Sequence, residues 1–122
     1  MTELQEKQLA FLEETAGFYN SKNRALGSDG ECIYSSTAKS PGCAIGRHLS
    51  PELAINLDTR SETGISNDDV FRNMPPSLKE LGQPFLGRVQ MLHDDSTNWD
   101  DTGLSSDGES YVIRIKEIFK LV

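Results

Sequence analysis

The chain has few residues with which to do chemistry. Two cysteines, two histidines and one tryptophan occur among its 122 residues. That cysteine count is too low for the disulfide-dense scaffolds of small secreted domains, and a reducing cytosol would normally keep Cys32 and Cys43 as thiols. No apolar run approaches the roughly 20 residues needed to cross a bilayer. The stretch Met1-Thr2-Glu3-Leu4-Gln5-Glu6 has no basic region leading into an apolar segment, so it does not read as a signal peptide. These absences point to the cytoplasm and away from membranes. Basic residues are also in deficit, 12 Lys and Arg against 19 Asp and Glu, for a net charge of −7. Nucleic-acid backbones are bound by clustered Lys and Arg, which here are scattered, so the composition argues against direct nucleic-acid binding. An acidic surface suits solubility, a basic protein partner or cations. The glycines at Gly42 and Gly46 fit neither common phosphate-loop pattern. No repeat, low-complexity tract or long linker splits the chain, and its length fits one globular domain over residues 1–122.

What is present is mostly helical patterning. Nine aromatics (five Phe, three Tyr, one Trp) supply enough bulk for one core. Thr2-Glu3-Leu4-Gln5 is a capping box, followed by Leu9, Leu12, Ala16 and Tyr19 at helical spacing with Leu4, Phe11 and Phe18 beside them. This helix should end near Asn20. Ser50-Pro51-Glu52 starts a short helix carrying Leu53, Ile55 and Leu57. Asn67-Asp68-Asp69 caps a turn with Val70, Phe71 and Met74, stopped by Pro75-Pro76. Ser77-Leu78-Lys79-Glu80 is a second capping box, closed by Gly82. From Gln83 a further helix lays Phe85, Leu86, Val89 and Leu92 along one face, with Arg88 and Gln90 outward. Asp94 and Asp95 stand at its negative end, so either the helix stops first or a positive group lies nearby. Ser106-Asp107-Gly108-Glu109 opens a last helix bearing Tyr111, Ile115, Ile118 and Val122, although the alternation around Tyr111, Ile113 and Ile115 also fits a strand. Cys32-Ile33-Tyr34 and Cys43-Ala44-Ile45 read as a short β-hairpin or paired loop around Pro41-Gly42, with a helix from Cys43 toward Leu49 as the alternative. The fold class is therefore mainly α, with a small hairpin over Cys32–Ile45.

Three constellations could carry function. Asp94, Asp95, Asp100 and Asp101 lie in a stretch from Asp94 to Glu109 with six acids and no Lys or Arg, a candidate surface for a basic partner. Trp99 sits within it, as a core plug or as an interface anchor. The same stretch lacks the glycine and terminal glutamate of an EF-hand. Arg47, Arg88 and Tyr34 could surround a pocket near the Cys43–Gly46 turn for a nucleotide-type signal. Cys32, Cys43 and His93 could converge on a metal, although the ten residues between the cysteines do not match the tight pairs of structural zinc sites. Buried cysteine packing is the plainer reading. A cysteine-protease pairing with His93 has no motif behind it. The chain therefore reads as a protein without an enzymatic set and without a cofactor.

Cys32-Ile33-Tyr34, Cys43-Ala44-Ile45-Gly46, Leu81-Gly82 with Phe85-Leu86, and Gln90 with Leu92-His93-Asp94 and Trp99 together resemble a family of small uncharacterised bacteriophage proteins. The resemblance spans Cys32 to Trp99. It implies a setting: an accessory protein in the cytoplasm of a bacterial host, acting on host machinery or defence. It carries over no catalytic residue. Binding and inhibition of a host factor is accordingly the expected function, with ligand sequestration and Cys/His metal binding as alternatives.

Overall fold

The computed structural model describes residues 1–23, 43–58, 65 and 68–121. Helix α1, Glu3–Phe18, opens with the expected capping box: Gln5 N donates to Thr2 Oγ1 (3.1 Å) and Thr2 N donates to Gln5 Oε1 (2.8 Å). Its buried stripe is rotated from the expected one. Gln8, Leu12 and Thr15 face inward with Tyr19 just beyond the helix, whereas Leu4 and Phe18 stay exposed. Two polar residues are tolerated on that stripe because each has a partner. Gln8 Nε2 donates to Leu81 O at 2.9 Å, and Arg47 Nη2 donates to Thr15 Oγ1 at 3.2 Å.

The expected Cys43–Ile45 strand is a turn instead. Arg47 N donates to Cys43 O (3.1 Å) and His48 N to Ile45 O (3.1 Å), which winds the chain into a 3-10 helix at Gly46–His48. Bonding directed back along the same segment leaves no ladder for a partner strand, so the helical alternative was nearer. Cys43, Ala44 and Ile45 are fully buried. The other arm, Cys32 to Tyr34, lies outside the described residues.

Pro51 starts α2, Pro51–Asp58, with Leu53 N donating to Ser50 Oγ (3.3 Å); Ala54 and Leu57 are buried and Ile55 is exposed. Helix α3, Asp68–Arg72, buries Val70 and leads to buried Met74. Proline then both stops and restarts the chain. Pro75 is the N-cap of α4, Pro76–Lys79, so Ser77 falls inside the first turn and its predicted capping box does not form. Gly82, at φ 92°, makes the bend into α5, Gln83–Asp94. Phe85, Leu86, Val89 and Leu92 enter the core as expected, and Gln90 joins them rather than pointing outward.

The C-terminal segment is a helix, α6, Ser106–Phe119. Its cap is Ser105, one residue before the expected start, whose Oγ accepts from Gly108 N at 3.2 Å. Val112 and Ile115 turn inward while Ile113 and Ile118 are exposed, a helical period that overrides the β-branched composition. Leu121 N returns to Lys116 O (2.8 Å) past the left-handed Lys120, which ends the helix. Helix α6 packs against α1, α5 and the segment between α5 and α6. That segment holds a 3-10 helix, Ser96–Asn98, and the one sheet among the described residues, β1 (Trp99–Asp100) antiparallel to β2 (Gly103–Leu104). The described residues thus form a mainly α fold, with its hairpin at Trp99–Leu104. Among them, no helix is long and apolar enough to cross a membrane.

Candidate functional site

The acidic stretch is a built structure rather than a loose loop. A helix ends with carbonyls that lack intrahelical partners, and burying them is costly unless donors arrive. At the end of α5 two donors do. Asn98 Nδ2 donates to Leu92 O (3.1 Å), and Trp99 Nε1 donates to Leu92 O (2.9 Å) and His93 O (3.2 Å). Trp99 is 5% exposed and packs edge-on against Tyr19. It is the core plug, and it drops out of the candidate partner surface because its indole has a structural partner at each end.

The acids divide by exposure. Asp94 is half-buried, and its Oδ1 accepts from Gln90 Nε2 (2.8 Å) and lies 2.8 Å from His93 Nδ1. A carboxylate only accepts, so Nδ1 carries the proton. These donors answer the unfavourable position of Asp94 at a negative helix end. Asp95, Asp100 and Asp101 are exposed. Asp95 Oδ1 accepts from Thr97 N (3.0 Å) and Thr97 Oγ1 (2.8 Å). Asp100 Oδ1 accepts from Thr102 N, Thr102 Oγ1 and Gly103 N, and the Thr102 bonds hold its carboxyl below the usual range. Ser21 Oγ donates to Asp101 Oδ1 at 2.7 Å, and Ser21 N to Asp100 O at 2.9 Å, tying the hairpin to the end of α1. Three carboxylates are therefore held in fixed positions at the surface.

Arg47 sits in a second cluster. Its guanidinium makes a two-pronged pair with Glu14 (2.5 and 2.8 Å), lies 4.5 Å above the Phe18 ring and 5.5 Å from that of Tyr19, and its side chain is 9% exposed. The resident carboxylate of Glu14 occupies the face that an anionic ligand would need. Arg88 lies elsewhere, along a hollow of about 340 Å³ with Asp68, Gln83, Pro84, Gly87 and Met91. Arg47 and Arg88 thus do not share a pocket, and Tyr34 lies outside the described residues.

His48 completes the Arg47 cluster, 3.5 Å from Glu14 and tilted against the Phe11 ring with centroids 4.9 Å apart. Hydrogen bonding from Arg47 lowers the Glu14 pKa, while burial, then Arg47, lowers that of His48. Both shifts mean that the unfolded chain binds more protons, so stability falls with falling pH. The His48 contribution is complete above about pH 6.5 and declines as pH falls toward its depressed folded value; Glu14 acts below about pH 4.3. Denaturant midpoints measured across this range should decline toward acid in two stages. His48→Gln should flatten the upper stage and Glu14→Gln the lower.

Cys43 is disulfide-bonded, against the expectation of a free thiol in a reducing cytosol. Its sulfur, which also accepts from Gly46 N at 3.4 Å, is therefore not a thiolate ligand. His93 is fully buried against Tyr19, with ring centroids 4.8 Å apart, and Cys32 lies outside the described residues. Among the described residues no three His, Cys, Asp or Glu side chains converge as a metal site would require.

Sequence reasoning missed Glu14, Thr15 and Gln90. Gln90 was findable, since it stands four residues after Leu86 and three before His93 on the inward arc of α5. Glu14 carried no local signal, because its partner is 33 residues away. No protein family, curated protein or solved structure matches the chain.

Proposed function

We propose that this chain is a bacteriophage accessory protein that binds and inhibits a factor of the bacterial host, possessing no catalytic set of its own. The contact surface is the ordered acidic segment from Asp95 to Asp101, and its partner is a basic protein face, with host defence machinery the class implied by the phage resemblance. The observation that carries this reading is the fixing of Asp95, Asp100 and Asp101 in exposed positions by bonds to Thr97, Thr102, Gly103 and Ser21. Charges already ordered lose less entropy on binding, and rigid complementary charge also speeds encounter. The net charge of −7 supports the same partner sign.

Asparagine keeps a side-chain oxygen as acceptor, so Asp95→Asn, Asp100→Asn and Asp101→Asn together remove charge while sparing these turns. Capture from host lysate by the triple variant should fall about tenfold, near 1.4 kcal/mol. Wild-type capture should weaken as salt rises. Undiminished capture by a folded triple variant rejects the surface. A cytoplasmic site of action is part of this proposal, and the disulfide at Cys43 pulls against it. The redox state of that residue in infected cells decides between them.

A further inference from the structure

We infer that the outer face of α5 is a self-complementary interface through which two copies of this chain pair. Pro84, Gly87, Arg88 and Met91 are spaced i, i+3, i+4 and i+7, so they form one stripe along the helix. Together with Asp68 and Gln83 they line one shallow hollow. Met91 is 56% exposed, an apolar side chain with no core to enter. At Gly87 an added Cβ would meet nothing within 4 Å, so the helix backbone is open to close approach from outside.

The two charges in the hollow select the occupant. Arg88 makes no ion pair or hydrogen bond among the described residues. Asp68 accepts from Gln83 Nε2 at 3.1 Å but meets no cation among them. A patch that holds one cation and one anion, each lacking its opposite among the described residues, is complementary to itself. An isologous contact brings each residue of a pair against the other's counterpart, so every such pair forms twice. Crossing α5 on α5 at Gly87 sets each Arg88 toward the Asp68 of the other copy and buries both Met91 side chains. The net charge of −7 opposes approach at long range. At about 0.15 M salt the screening length is about 8 Å, so this repulsion fades while close pairs persist.

Sedimentation of the full chain across a wide dilution series tests this. The mass should move from one chain toward two as concentration rises; a single-chain mass throughout overturns the inference. Arg88→Asp and Asp68→Arg should each be monomeric alone, since each sets like charges face to face. An equimolar mixture of the two should form a heterodimer, because both crossed pairs are then opposite in sign. Should Asp68→Arg fail to fold, Gly87→Trp gives the same decision, since its side chain enters open space in the monomer and blocks the crossing. A folded Gly87→Trp protein that still dimerises overturns this face as the interface.

Discussion

Gly108→Ala should destabilise the protein by about 3 kcal/mol or more, a large share of the roughly 5–15 kcal/mol that holds a domain folded. Gly108 is the third residue of α6, and a Cβ there would stand 2.1 Å from Asn98 O, 3.0 Å from Asn98 C and 2.8 Å from Leu104 Cδ2. The nearest obstacle is backbone, so no rotamer change relieves it. The Ser96–Asn98 turn must move off α6. That motion would also disturb Ser105 N to Asn98 O (2.9 Å) and Ser105 Oγ to Thr97 O (2.5 Å). Thermal denaturation should show a midpoint lowered by roughly 10 °C or more. In an isolated helix the same substitution stabilises by about 1 kcal/mol. A variant as stable as the parent would mean that α6 and the turn do not approach as described.

Trp99→Ala should be comparably damaging, about 3–5 kcal/mol, because it removes a large buried side chain and uncaps α5 together. Trp99→Phe separates the two effects. It keeps most of the bulk and loses the bonds to Leu92 O and His93 O, for an expected loss of about 1 kcal/mol. The smaller figure follows from Asn98 Nδ2, which still donates to Leu92 O. Chemical denaturation followed by circular dichroism gives both values. Trp99 is the one tryptophan, so the parent's fluorescence should shift from a buried to a solvated spectrum in the same transition. Equal effects of Trp99→Phe and Trp99→Ala would show that capping, not volume, holds the site.

The two substitutions probe the same place from opposite sides. Gly108 allows the start of α6 to touch the turn, and Trp99 plugs the end of α5 beneath it. This junction also explains how the acidic hairpin is presented. Asp100 and Asp101 sit at the tip of a hairpin that is anchored in the core through Trp99 and packed against it through Leu104. A disordered acidic loop would present the same charge without fixed geometry.

Much of the helical framework was legible because its causes are local. The Thr2–Gln5 capping box, the Pro51 start, the Pro75-Pro76 stop and the apolar face of α5 each depend on residues within a turn or two. The misplacements arose where local signals compete. The Ser77 capping box lost to Pro75-Pro76, which fixes the helix start two residues earlier. At α6 the cap moved to Ser105, because the glycine at its third position is where the turn must touch.

The sequence by itself determined a mainly helical chain, the sign of its charge and the positions of most helix boundaries, since periodicity and capping act over a few residues. Only the tertiary structure decided where the described candidate residues sit and what they contact. It turned Trp99 inward, paired Arg47 with Glu14 and separated it from Arg88, and fixed the three surface aspartates in turns. Those outcomes depend on contacts between segments far apart in the chain, where a carbonyl left bare at one helix end recruits a donor from another element.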